Sequence, residues 1–156
     1  MDGTKIAGIV LRRTDSSDPV FRELVSLLDA ELAERDGAEH SFYSQYNTVS
    51  AIRHVIVATI RDQALSCGAI KAFSDEAMEV KRMYTKPAYR GQGVAKKVLR
   101  ELETWAHELG YRSCVLETGK RQPEAIALYL SAGYGIIPNY GQYAGVENSV
   151  CFKKLV

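Results

Sequence analysis

The sequence predicts a single α/β (α+β) domain over residues 1–156, built on a mixed sheet flanked by helices. Three observations predict it. Strand-like and helix-like segments alternate along the chain, which calls for a sheet with helices packed on it. One long, one-sided helix, Gly93 to Leu109, joins two apolar runs that should be parallel strands linked by a right-handed crossover. Its entrance carries Gly91 and Gly93, the residues that lose most conformational freedom on folding, so their presence there needs a reason.

The elements follow in order. Residues 6–12, "IAGIVLR", read as a first strand. In "DPVFRELVSLLDAELAER", Asp18 caps a helix and Pro19 sits in its first turn. Val20, Phe21, Leu24, Val25, Leu28 and Leu32 recur there at helical spacing. "DGAEHSFYSQYNTVSAIR" has no period and reads as a loop with room for a short helix. Two β-branched runs around Arg61-Asp62-Gln63-Ala64 predict a hairpin, and "AMEVKRMYT" follows a turn at Ser74-Asp75-Glu76. In the long helix Val94, Val98, Leu102, Trp105 and Leu109 share a face, and Gly110 stands where a left-handed residue ends a helix. "SCVLET" predicts a buried strand, and "QPEAIALYLSAG" a helix with Pro123 near its start and Gly133 as its stop. "ENSVCFKKLV" predicts a last strand, with room for one more beside it. No repeat, linker or low-complexity segment interrupts this order.

Composition narrows the function. A chain that is 46% hydrophobic and 25% charged can bury a real core. Its net charge of +1 argues against a nucleic-acid or polyphosphate partner held by bulk electrostatics, while leaving room for a local basic pocket. Cys67, Cys114 and Cys151 are widely spaced in apolar surroundings and read as reduced thiols. No apolar run approaches the ~20 residues of a membrane span, and "MDGTKIAGIV" lacks a signal-peptide core, so a cytoplasmic protein with no membrane partner is expected. His40, His54 and His107 have no metal-ligand spacing, so no metal is expected.

The stretch "TKPAYRGQGVAKK" gives the two glycines a purpose. A strand ends near Thr85, the chain turns at Pro87, and a helix begins at Gly91 to Val94. The first N–H groups of a helix lack internal partners and sit at its electropositive end. Glycines let an anion approach that backbone, and Arg90, Lys96 and Lys97 add positive charge, so the segment reads as a pyrophosphate cradle. The plainer reading is a glycine turn with a solvated basic rim. The Walker pattern is absent, and a dinucleotide fingerprint would need glycine where Lys96 stands.

Arg90, Gly93 and Ala95 meet the pattern [QR]-x-x-G-x-[GA]. Downstream, "PEAIALYLSAGY" meets N-x-x-A-x-x-x-Y-x-x-x-G-[FY] at Ala125, Tyr129, Gly133 and Tyr134, with Gln122 where Asn is commoner. On these two motifs the chain, from about Ala64 onward, resembles the GNAT N-acetyltransferase superfamily; the N-terminal third matches only in its β-α order. The resemblance implies a mostly antiparallel central sheet splayed between strands 4 and 5. It also implies acetyl-CoA as co-substrate. Backbone groups of Met83, Tyr84 and Thr85 would pair with the pantetheine arm, and Arg90, Gly91, Gln92, Gly93, Val94, Ala95 and Lys96 would hold the diphosphate.

Acetyl transfer to an amine needs a base, because an amine near pKa ~10.4 is protonated at neutral pH. It also needs a donor for the oxyanion and one for the departing thiolate. The family's tyrosine position gives the last role to Tyr129, which would otherwise read as a core tyrosine. Two-residue alternation would put Glu79, Lys81, Met83 and Thr85 on one strand face, and a Glu at this offset acts as base in some family members. Glu117, at the end of the next strand, is the rival; either Glu would otherwise pair with Lys81 or Arg82. His40, Tyr43 and Tyr46 on one loop, with Tyr140 and Tyr143 on another, are candidates to line the acceptor pocket, or else anchor surface loops.

The expected function is acetyl transfer from acetyl-CoA to a primary amine of a small molecule or protein, by direct attack in a ternary complex. The alternatives are a non-catalytic acyl-CoA sensor on the same fold and an unrelated nucleotide-binding α/β domain. The family often forms homodimers, sometimes through C-terminal strands, which the tail "SVCFKKLV" allows.

Overall fold

The computed structural model describes residues 6–36 and 51–156. Seven strands form a mixed sheet in the order β1-β2-β3-β4-β5-β7-β6. They are β1 (Val10–Thr14), β2 (His54–Ile60), β3 (Gln63–Ala72), β4 (Ala77–Thr85), β5 (Ser113–Gly119), β6 (Gly135–Ile137) and β7 (Ser149–Leu155). Three α-helices accompany them among the described residues: α1 (Pro19–Asp36), α2 (Val94–Glu108) and α3 (Pro123–Ser131). The described residues divide into two compact units, one within residues 1–71 and 80–102, the other of residues 72–79 and 103–156.

In the first unit, β1 pairs antiparallel with β2, and β2 with β3. The first strand starts later than its apolar run suggests, because Gly8 at φ 82° breaks the extended backbone. Asp18 caps α1 as expected: its Oδ1 accepts the Val20 N–H at 2.8 Å. Phe21, Leu24, Val25 and Leu28 then pack on Val55, Val57, Cys67, Ala69 and Tyr84, with Val20 and Leu32 at the margin. The β2–β3 turn needs only Arg61 and Asp62, both at positive φ (49° and 65°), as a tight hairpin of this twist demands.

The second unit contains the only parallel register recorded among the described strands, Ala77↔Ser113, Met78↔Cys114 and Glu79↔Val115 between β4 and β5. That ladder ends at Glu79, although β4 continues to Thr85 and β5 to Gly119. Strand β7 pairs antiparallel with β5 over its whole length and with β6 on its other edge. The three cysteines are free and buried.

Helix α2 ends as expected, with Gly110 at φ 93°. Its buried face is Val94, Val98, Leu99, Leu102, Glu103 and Ala106, while Leu109 is 43% exposed. Leu109 follows Glu108, the last residue of α2, and so lies past the end of that buried stripe. Glu103 is tolerated there because Lys154 Nζ lies 2.8 Å from it.

Candidate active site

The first unit holds the glycine turn. Strand β4 ends at Thr85, a one-turn 3₁₀ helix covers Pro87–Tyr89, and α2 starts at Val94. Gly91 (φ 75°) and Gly93 (φ 84°) both adopt the left-handed backbone that side chains disfavour, and nothing lies within 4 Å of where a Gly91 Cβ would stand. The amides of α2's first turn have no helical partner by construction. Gln92, Ala95 and Lys96 are half-buried, and Val94 is buried and anchors the turn.

Arg90 is arranged differently from a free cationic arm. Its Nε donates to Thr85 O at 2.7 Å, and its Nη2 donates to both carboxylate oxygens of Glu31, at 2.9 and 3.2 Å. The guanidinium also lies over the Tyr84 ring, 5.4 Å from its centroid. Burial raises the Tyr84 phenol's pKa, with Glu31 adding to the effect. The carbonyl of Thr85 is thus engaged within the protein.

The expected face shared by Glu79, Lys81, Met83 and Thr85 is corrected. Arg82 takes φ 60° inside β4, and a left-handed residue in a strand interrupts the two-residue alternation. Beyond it, the Met83 side chain lies against Gly68, where a Cβ would also meet Leu102 Cδ1 at 2.8 Å and Val98 at 3.3 Å. Thr85 Oγ1 bonds Ser66 Oγ at 2.8 Å. The Arg82 side chain is 2% exposed and donates from Nη2 to Asp29 at 2.8 Å. Its Nε and Nη1 are buried with no acceptor among the described residues.

The second unit holds the acid–base candidates. Glu79, 5% exposed, accepts a hydrogen bond from the Tyr140 hydroxyl at 2.7 Å. Tyr140 packs edge-on against Phe73 (4.8 Å) and Tyr143 (5.9 Å). Burial first, and the Glu79 charge second, push the Tyr140 phenol well above its usual range, so it stays protonated as a donor. Tyr143, in the 3₁₀ turn Gly141–Tyr143, is fully buried and is likewise shifted up, by burial and then by Glu117 and Glu79. Glu117 accepts the Ser149 hydroxyl at 2.7 Å.

Tyr129 is buried on α3, its ring between Tyr134 (5.9 Å) and Phe152 (5.8 Å). Burial, reinforced by the Glu117 charge, raises its pKa, so its O–H remains intact at neutral pH. Glu117 therefore acts electrostatically on both Tyr129 and Tyr143, and Glu79 on Tyr140 and Tyr143.

His40, Tyr43 and Tyr46 lie outside the described residues. Sequence reasoning missed the Tyr140–Glu79 and Ser149–Glu117 bonds, the Arg82 distortion and the Arg90–Glu31 ion pair. The first two join residues 61 and 32 positions apart, a separation that carries no local signal. Among the described residues, no group of three or more His, Cys, Asp or Glu is placed to hold a metal ion. No helix among them is long and apolar enough to cross a membrane.

Comparison with known proteins places the chain in a family. Residues 21–134 match the model of the acetyltransferase (GNAT) family. An IAA acetyltransferase of Azospirillum brasilense is 31% identical over 148 residues, covering 93% of this chain and 95% of that protein. A Klebsiella pneumoniae crystal structure, assigned as an acyl-CoA N-acyltransferase, superposes with a TM-score of 0.80 at 27% identity, over 96% of this chain and 99% of that one. A GNAT acetyltransferase from Elizabethkingia anophelis with acetyl-CoA bound shares the fold at a TM-score of 0.69 and 16% identity, over 97% of this chain and 100% of that one. With the glycine turn, the tyrosine helix and the strand order all in place, this chain belongs to the GNAT acetyltransferase family.

Proposed function

We propose that the protein transfers the acetyl group of acetyl-CoA to a primary amine, on a small molecule or a protein, by direct attack within a ternary complex. The observation that carries this reading is Tyr129. The family motif puts a tyrosine at this position, and here it is a buried phenol whose raised pKa keeps it a neutral donor. A protein that only bound acyl-CoA would have no use for a thiolate acid at this position.

In this reading the N–H groups from Gly91 to Lys96 hold the diphosphate, and the backbone of Met83 and Tyr84 lines the pantetheine arm. Glu79 takes a proton from the acceptor ammonium, directly or through water, and Tyr140 keeps that carboxylate oriented by its hydrogen bond. The amine lone pair attacks the thioester carbon. The tetrahedral intermediate then collapses with cleavage of the C–S bond, the thiolate takes the Tyr129 proton, and the proton that the nitrogen sheds on becoming an amide returns to the phenolate. Glu117 is the second candidate base, and its charge also favours the neutral form of Tyr129.

The test is isothermal calorimetry with acetyl-CoA, followed by thiol release over a panel of primary amines. Heat on binding with turnover on at least one amine is expected. Heat without turnover on any amine would replace the catalytic reading with an acyl-CoA sensor, and stabilisation by a nucleoside triphosphate but not by CoA would replace both.

A further inference from the structure

Three ion pairs join α1 to the segment that ends β4 and leads into α2. Glu23 meets Lys86 at 3.1 Å, Asp29 meets Arg82 at 2.8 Å, and Glu31 meets Arg90 at 2.9 Å. Each cation thus has a carboxylate partner on this one helix. The third pair bears directly on the glycine turn.

We infer that Glu31 is a positioning residue for the diphosphate-binding turn, acting through Arg90. Three contacts hold the Arg90 guanidinium at once: the Thr85 carbonyl, both oxygens of Glu31 and the face of Tyr84. The bond from Arg90 Nε back to Thr85 O closes the 85–90 segment on itself, immediately before Gly91. Glu31 orients the fork that makes this closure, and Arg35, 3.9 Å away on the same helix, steadies Glu31 in turn.

Two consequences follow. The Arg90 charge is balanced by Glu31, so the attraction for a diphosphate falls to the backbone amides of the turn, the end of α2 and Lys96. The geometry of those amides is set before the cofactor arrives. A turn already closed has less disorder to lose on binding. Loss of the Glu31 charge therefore weakens cofactor binding, although it removes an anion from the neighbourhood of an anionic ligand. Simple charge repulsion predicts the opposite sign, which makes the inference sharp.

The inference rests on the proposed acetyl-CoA reading, and its test separates the two. The variants are Glu31→Gln, Arg90→Gln, the double variant, and Glu23→Gln as a control that removes a neighbouring ion pair without touching Arg90. Glu31→Gln is expected to raise the acetyl-CoA Kd and KM about tenfold, the scale of one hydrogen bond to a charged group. Acceptor KM and kcat should stay within about twofold, and Glu23→Gln should leave the acetyl-CoA Kd within about twofold. Because both residues act through one clamp, Glu31→Gln should have no further effect in the Arg90→Gln background. Glu31→Asp, which keeps the charge, should recover most of the affinity.

An unchanged or lower Kd for Glu31→Gln, or an equal rise in Glu23→Gln, would overturn the inference while wild-type binding left the acetyl-CoA reading standing. A full Glu31 effect persisting without Arg90 would do the same. Wild-type protein that gives no heat with acetyl-CoA would remove the reading and the inference together.

Discussion

The Tyr140 hydroxyl donates to Glu79 across 2.7 Å, joining a phenol that burial keeps protonated to a carboxylate that is itself 5% exposed. That hydrogen bond fixes the orientation of the leading candidate base.

Tyr140→Phe keeps the ring against Phe73 and Tyr143 and removes only the donor. A buried carboxylate that loses a hydrogen bond is destabilised by roughly 1.5–3 kcal/mol, so a fall in Tm is expected. With the carboxylate no longer held in one orientation, kcat should fall as well. Thermal melting and kcat on the same variant check both. A lower Tm with kcat unchanged would show that this hydrogen bond does not serve catalysis.

Tyr129 has the opposite assignment. Its pKa is raised by burial and by Glu117, so raising the pH toward about 10, where an ordinary tyrosine ionises, should not switch off the donor. The wild-type kcat is expected to show no alkaline fall below that pH. Tyr129→Phe should lower kcat by about 10²-fold or more, the usual scale of a proton-transfer contribution, while acetyl-CoA affinity stays nearly constant. An equally active Phe variant would move the acid elsewhere.

Asp29 is half-exposed, but its partner Arg82 is 2% exposed and has two further nitrogens without acceptors among the described residues. Asp29→Ala leaves that guanidinium buried without its counter-ion, which costs about 3 kcal/mol. The expected fall in Tm is roughly 6–12 °C. Glu76→Ala is the comparison, because its ion pair with Arg112 is open to water on both sides (80% and 72% exposed) at 4.0 Å. Its effect should be about 0.5 kcal/mol or less. Equal losses would mean that Arg82 finds another partner.

Burial raises the thiols of Cys67 and Cys114 from 9.0 to about 12. Between those values the unfolded chain releases protons that the folded chain retains, so stability must fall as pH rises from about 9 toward 12. Melting midpoints measured from pH 7.5 to 10 should decline, and less steeply in Cys67→Ala. The slope is the test, since the alanine also removes packing. Parallel slopes would show that the thiol does not keep its proton.

Much of the fold was legible because it rests on local periodicity. Helix α1 was readable from Asp18 and its apolar stripe, β4 from "AMEVKRMYT", and α2 from its spacing and Gly110. The candidate site was legible wherever backbone conformation demands a residue type, as at Gly91 and Gly93, or where a motif repeats a family's spacing, as at Tyr129. It was illegible where the partner lies far along the chain. Nothing near Arg90 shows that Glu31 holds it, and nothing near Glu79 points to Tyr140. Arg82 carries no mark of its left-handed backbone, since no glycine advertises it.

By itself the sequence determined the family, the strand and helix order and the position of the glycine turn, because these depend on hydrogen bonding and side-chain spacing within one segment. Tertiary structure alone decided that β7 lies between β5 and β6, that the strand alternation breaks at Arg82, and that Arg90 is spent on Glu31. It also decided which phenol serves which carboxylate. Those outcomes turn on which charges and donors meet once water is excluded, and a buried charge takes whatever partner the packing brings within reach.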